Sequence, residues 1–436
     1  LGQLGAVRHS YDDAYPSSDA VRMLDLGQPA VIGQPSSVFL DNPPLMTYLQ
    51  ALPLLIWRSP WAIYLFITAL NTLAIGFLYD MARRVLDRPS ALLAAWLFAV
   101  NPWVVHFSRT TWVQSLVPML IIVACWGAWP FLVGDRANPR RFLFGVAVAA
   151  VMMLTYIQAF GVLLQIAPLA LLFWRRIPGR TRWHATAILL IALALYGVGV
   201  LAEMDRNIDK LTAFTADTAE VTLTRDGLAH AARLVSGRDF EAVWAADDGR
   251  GYTFRRNAGQ IVSLALELAL GAGALLAVWS LWHTPQRRAI AGVLLVWLGV
   301  PILSMSASSQ PIHPHYLLLS LPAGQMLAGW ALSHLDRRGL RVGLIAVCVG
   351  ITVLAGVNVH RANQLALAAP LNDDFADWPL REGHRVGANL RALIKQGQGD
   401  TKTATPPRVV AAGHEVVWRS LSATHLTNLK GIAYPD

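Results

Sequence analysis

Two adjacent carboxylates, Asp12 and Asp13, lie between Tyr11 and Tyr15 in HSYDDAYPSSDA (residues 9–20). Neighbouring like charges raise one another's pKa, and an acid pair suits general-base work on a hydroxyl. The same residues also fit a solvated acidic loop, the reading that composition alone favours. A second cluster, SASSQPIHPHY (306–316), sets His313, His315 and Tyr316 around one proline. Imidazolium and phenol donors in that arrangement would bind a phosphate; an interfacial aromatic belt is the alternative for Tyr316. Arg109, in HFSRTTW (106–112), either meets an anionic headgroup or simply extends into the headgroup layer. Glu267 sits about seven residues into an apolar run, roughly 10 Å deep if that run spans a membrane. It either faces a wet cavity or pairs with a polar neighbour in the bundle.

The elements that must hold these residues are membrane helices. Charged residues make up 14% of the 436-residue chain and apolar ones 55%, against about 25% charge in soluble domains. Mean hydropathy is +0.43. A net charge of +9 would suit nucleic acid, but its placement excludes that partner, because the arginines cluster in short turns between apolar runs. Cys125 and Cys348 both fall within apolar runs, so neither a disulfide nor a metal spacing is expected.

A span needs roughly 20 apolar residues. Ten runs qualify: 61–82, 89–107, 111–133, 142–156, 158–174, 184–203, 260–282, 289–306, 316–334 and 342–359. Arg83, Arg84 and Arg88 follow the first, Arg136, Arg140 and Arg141 the third, and Arg175, Arg176, Arg180 and Arg182 the fifth. Arg287 and Arg288 follow the seventh; Arg337, Arg338 and Arg341 follow the ninth. Every cluster then falls on one side, the cytoplasm. The run 142–174 would be about 50 Å long as one helix, too long for a core of about 30 Å, so a hairpin near 156–161 is expected. PLMTYLQALPLLIW (44–57) is too short to span and reads as an amphipathic helix at the outer surface.

The expected architecture is an all-α polytopic membrane protein of about ten spans, with external juxtamembrane helices. Residues 1–60 form an external first loop with its surface helix, and residues 61–359 form the bundle. An external loop, 204–259, carries the amphipathic stretch GLAHAARLVSG (227–237). An external segment ahead of the first span implies a further helix upstream. The segment 360–436 reads as a small external α/β domain, with helix 387–397 and strand 408–413, and the chain stops soon after that strand as an incomplete domain would. In NPPL (42–45), proline fixes φ and stiffens the lead into the surface helix. Pro102 is expected to kink the helix before Arg109.

No phosphate-binding glycine loop, zinc spacing or nucleotide fingerprint is present, and the cytoplasmic turns are too short to hold a nucleotide sugar. An activated substrate must come from the membrane or the outside.

On these features the chain resembles the polyprenyl-phosphate-dependent glycosyltransferases of the type C fold, among them the protein O-mannosyltransferases and the lipid A aminoarabinose transferases. YDDAY (11–15) followed by DAVRMLDLG (19–27), NPPLMTYLQALP (42–53) and HPHYLLLSLPA (313–323) carry the resemblance. It implies an inverting sugar transfer from a polyprenyl-phosphate donor to a protein, lipid or glycan acceptor at the external face of a bacterial inner membrane. Asp12 would be the base and Asp13 its neighbour, where relatives often have Glu. Arg109 and His315, with His313 and Tyr316, would meet the lipid phosphate. No cofactor is obligatory; a divalent metal is compatible but not indicated, and Gln114 stands where lipid A relatives often have Asp. The competing functional readings are a transporter or flippase, which predicts repeats and midplane charges, and a non-catalytic membrane scaffold.

Overall fold

The computed structural model describes residues 8–9, 11–36, 40–133, 138–205, 207–209, 212, 222–223, 225–238, 253–308, 313–335, 338–368 and 378–379. Helix 387–397 and strand 408–413 of the expected tail domain lie outside them. The described residues are almost wholly helical, with two short antiparallel pairs. β1 (Arg8–His9) pairs with β4 (Trp378–Pro379), and β2 (Thr222–Leu223) pairs with β3 (Ala307–Ser308).

The acid pair opens a helix. α1 (Tyr11–Leu26) has Asp12 and Asp13 in its first turn, where carboxylates favour the positive end of the helix dipole. It ends at Gly27, whose φ of 68° closes the helix through a Gly27 N–H bond to the Met23 carbonyl at 3.0 Å. α2 (Leu45–Ile56) follows the NPPL element. It buries Met46, Thr47, Gln50, Ala51 and Leu54, while Leu52, Leu55 and Ile56 stay exposed. One face therefore packs on the protein and the other is apolar and open, the pattern of a helix lying on a membrane.

Several bundle helices begin with a Ser, Asp or Asn cap and a proline in the first two helical positions. Proline there gives up only a donor that has no partner within the helix. Ser59 caps α3 (Pro60–Arg83), Asp87 caps α4 (Arg88–Val100) and Asn138 caps α7 (Pro139–Thr155). The expected run 89–107 breaks at Asn101, which starts α5 (Pro102–Phe107) by accepting from Trp103 N at 2.9 Å and Val104 N at 3.2 Å. α6 (Val117–Val133) starts six residues later than its apolar run, because 111–116 form a turn. The run 142–174 does break in the middle. α7 ends before Tyr156, a 3-10 turn spans Ile157–Phe160, and α8 (Gly161–Phe173) follows. α9 (Gly179–Ala202), α10 (Asp226–Ser236), α11 (Thr253–His283), α12 (Arg288–Ser306), the 3-10 segment Pro314–Ser320, α13 (Leu321–Ser333) and α14 (Arg338–Ala368) complete the order. Among the described residues, α3, α9, the 263–283 part of α11 and α12 are each long and apolar enough to cross a membrane.

Buried Trp129, Trp297 and Trp330 anchor the bundle core. α6 and α7 come into close backbone contact at Gly127 and Gly145, where a Cβ on Gly127 would lie 2.5 Å from the Gly145 Cα. The arginine turns gather at one end. The Arg84 and Arg141 side chains both approach Asp80, and Arg141 stacks over Trp126 at 3.7 Å. Arg176 donates to the Phe131 and Leu132 carbonyls, and Arg341 pairs with Asp87 at 3.4 Å. The chain alternates direction, so α1, α2, the 108–116 turn, the 156–160 turn, α10 and the 313–320 segment gather at the other end.

Candidate active site

At that second end the two acids part company. Asp13 is buried, 4% exposed, and its carboxylate accepts the Thr111 backbone N–H at 2.6 Å. The Thr111 hydroxyl adds bonds to the Asp13 carbonyl at 2.9 Å and to its Oδ1 at 3.3 Å. Ser17, one helical turn on, bonds the Asp13 carbonyl and the Gln50 Oε1, and Gln50 in turn donates to the Thr111 carbonyl at 2.5 Å. α1, α2 and the 108–116 turn are thereby locked into one unit. Its outer turn is tied to α3, since Asn71 donates to the Ser115 carbonyl at 3.0 Å and Thr68 to the Ser108 carbonyl at 2.8 Å.

Asp12 points elsewhere. It is half-buried, and its Oδ1 accepts from the Gln34 Nε2 at 2.5 Å. Gln34 itself is held by the strap that precedes α2. Gly33 N donates to the Asn42 carbonyl at 2.8 Å, and Asn42 N and Nδ2 donate to the Gln34 carbonyl at 3.0 and 3.1 Å. Asn42 Oδ1 also takes the Ile157 N–H at 3.2 Å, which links the strap to the 156–160 turn. A side chain on Gly33 would run into the Asn42 and Pro43 carbonyls. Asp41 accepts from Ser36 N through its carboxylate and from the Tyr196 hydroxyl through its carbonyl.

The histidine cluster reaches the same unit from the late helices. Trp112, next to Thr111, packs against His315 with ring centres 5.0 Å apart. His313 stacks on His315 at 5.4 Å, and Tyr316 stands edge-on to both, 4.5 Å from His315. Desolvation, with His313 and His106 adding to it, holds the His315 imidazole far below its usual range, at about 3. Burial of this ring therefore favours the neutral imidazole over the imidazolium. Arg109 sits half-buried in the 108–116 turn, two residues from Thr111. Burial lowers its pKa while Tyr64 opposes that effect, and a guanidinium stays charged there in any case.

Glu267 is engaged in a structural contact. Its Oε1 accepts from the Ser236 hydroxyl at 3.1 Å and pairs with Arg238 at 3.2 Å. This contact anchors the C-terminal end of α10, where Asn101 and Gln325 also donate to the Leu234 and Val235 carbonyls. Asp12, Asp13, Arg109, His315, His313 and Tyr316 therefore belong to one connected end of the bundle, and Glu267 to the neighbouring α10 anchor. Gln34, Gln50, Thr111 and Trp112 were not singled out from sequence. A lone polar residue gives no sign of a partner 22 or 98 positions away. No group of three His, Cys, Asp or Glu side chains suited to a metal occurs among the described residues. A cavity of about 340 Å³ beside Gly179, Arg182, Trp183 and Thr186 opens at the arginine-rich end and contains none of the candidate residues.

Residues 41–199 match the model of the family described as dolichyl-phosphate-mannose-protein mannosyltransferase. The fold is similar to that of ArnT from Cupriavidus metallidurans in the apo state, with a TM-score of 0.53 at 14% identity over 95% of this chain and 70% of that one. ArnT from the same organism bound to undecaprenyl phosphate gives a TM-score of 0.53 at 14% identity over 95% and 71%. An oligosaccharyltransferase from Archaeoglobus fulgidus matches with a TM-score of 0.47 at 13% identity over 95% of this chain and 59% of that one. No curated protein matches the sequence. The chain is therefore a multi-pass membrane protein with the type C fold of polyprenyl-phosphate-dependent glycosyltransferases, and its residues 41–199 carry the match to the mannosyltransferase family.

Proposed function

We propose that the protein transfers a sugar from a polyprenyl-phosphate-linked donor to a hydroxyl acceptor at the external face of a bacterial inner membrane. The observation that carries the proposal is the position of Asp12, a half-buried carboxylate held by Gln34 and joined through Asp13, Thr111 and Trp112 to Arg109 and the histidine cluster. The match of residues 41–199 to mannosyltransferases supports sugar transfer, and undecaprenyl phosphate bound to ArnT supports a polyprenyl phosphate as the lipid. Arginine turns at the opposite end support an external site. A sequence rich in Arg and Ala but poor in Lys supports a bacterial source.

In the proposed step Asp12 accepts the proton of the acceptor hydroxyl, and the freed oxygen attacks the anomeric carbon opposite the phosphate. The bond from the anomeric carbon to the phosphate oxygen breaks, its electron pair leaves with the lipid phosphate, and the configuration inverts. Arg109, with N–H and O–H donors from His315, His313 and Tyr316, receives the charge that develops. The base and the charge acceptors are all side chains, so the step as written calls for no obligatory cofactor. Asp13 positions the 108–116 turn through Thr111, which separates the duties of the acid pair.

The test is transfer from polyprenyl-phospho-sugars by protein in liposomes, offered hydroxyl acceptors of protein, lipid and glycan type. Asp12→Asn should abolish transfer and leave binding of the lipid phosphate intact. Transfer at the wild-type rate would remove Asp12 as the base.

A further inference from the structure

We infer that Gln34 is a positioning residue for Asp12, holding one oxygen of the carboxylate and favouring its ionised form. This deepens the proposed reaction and rests on Asp12 being its base. Gln34 is only 3% exposed, yet its amide makes one hydrogen bond, from Nε2 to Asp12 Oδ1 at 2.5 Å. Its own Oε1 is buried without a hydrogen-bond partner among the described residues. Burying an acceptor unpaired is unfavourable, so the contact with Asp12 is the polar interaction that accounts for an amide at this point. The backbone around it is built to hold that amide still. The Gln34 carbonyl is fixed by two bonds from Asn42, and the preceding position admits only glycine against the Asn42 and Pro43 carbonyls. An N–H donated to a carboxylate stabilises the charged form and lowers its pKa.

Other charged groups act around α1. Tyr11, Asp13, Tyr15, Asp19, Arg22 and Asp25 lie on the same helix, β1 before it carries Arg8 and His9, the strap before α2 brings Asp41, the 108–116 turn brings Arg109, and α2 brings only Tyr48. All of them remain in a Gln34 variant, so a change in Asp12 titration reports on Gln34. Gln34→Met keeps the length of the side chain and removes the donor. The Asp12 carboxyl can be titrated by infrared difference spectroscopy with Asp12→Asn as the blank, alongside the pH dependence of kcat/KM for transfer. The expected result is a higher Asp12 pKa and an acid limb displaced upward by about one pH unit, a loss of about tenfold below the limb and little above it. A residue with a merely structural role would lower activity at every pH without moving the limb. Should Gln34→Met not fold, Gln34→Glu retains the size and makes two acids share the site, which displaces the limb upward as well. An unmoved titration and limb, with Asp12→Asn inactive, overturns the role of Gln34 alone. An active Asp12→Asn overturns the base assignment and this inference together.

Discussion

Replacing Asp13 separates the structural acid from the chemical one. In Asp13→Ala the Thr111 backbone N–H loses a carboxylate acceptor at 2.6 Å in a fully buried setting, Thr111 being 0% exposed. A hydrogen bond to a charged group contributes about 1.5–3 kcal/mol, and stranding the buried donor places the loss at the upper end. The Thr111 hydroxyl adds little, because its nearer partner at 2.9 Å is the Asp13 carbonyl, which alanine retains. The net expectation is about 2–3 kcal/mol. In Asp13→Asn a neutral oxygen still accepts the N–H, and neutral bonds are roughly half as strong, so about 1 kcal/mol is lost. The assay is the unfolding midpoint in detergent, read by tryptophan fluorescence, for wild type, Asp13→Asn and Asp13→Ala. The order should be wild type, then Asn, then Ala, and Asp13→Asn should keep measurable transfer while Asp12→Asn has none. Two refutations are available. If Asp13→Ala is as stable as wild type, the contact does not hold α1 to the turn; if Asp13→Asn is as inactive as Asp12→Asn, the division of labour is wrong.

Two further outcomes follow from the same structure. Desolvation, partly offset by Arg22, lifts the half-buried Asp19 from an ordinary 3.8 to about 6. A raised carboxyl pKa in the folded state means stability falls as pH rises from about 4 through 6, and the penalty is complete above that. Asp19→Asn should therefore be more stable than wild type at pH 7.5, by roughly 1–2 kcal/mol after discounting for solvent screening, and should show no advantage below pH 4 in the same melt; an advantage independent of pH would refute it. Glu267→Ala removes the acceptor for Ser236 and Arg238 at the α10 anchor. It should cost about 1–3 kcal/mol in the same melt, whereas an unchanged midpoint would show that the pair does not hold α10 in place.

The sequence by itself determined what depends on local composition and period. Apolar runs and arginine clusters located the helices of the bundle, their alternation and the break near Tyr156, because a span must satisfy its own backbone and the arginines avoid crossing. It also singled out Asp12, Asp13, Arg109 and the HPHY cluster as residue types out of keeping with their surroundings. Pro102 marked the break that follows Asn101, whereas the turn over 111–116 was not legible, because its residues bridge distant segments, as Thr111 does to Asp13. Only the tertiary structure divided the acid pair. Successive residues at the start of a helix point about 100° apart, so Asp13 turns into the bundle to meet Thr111 while Asp12 turns to the strap that carries Gln34. It likewise made Glu267 an anchor and desolvated the His315 ring, since both depend on which distant groups surround them. Partners 22 to 98 residues apart leave no periodic trace in a single chain. They exist only once the helices have packed.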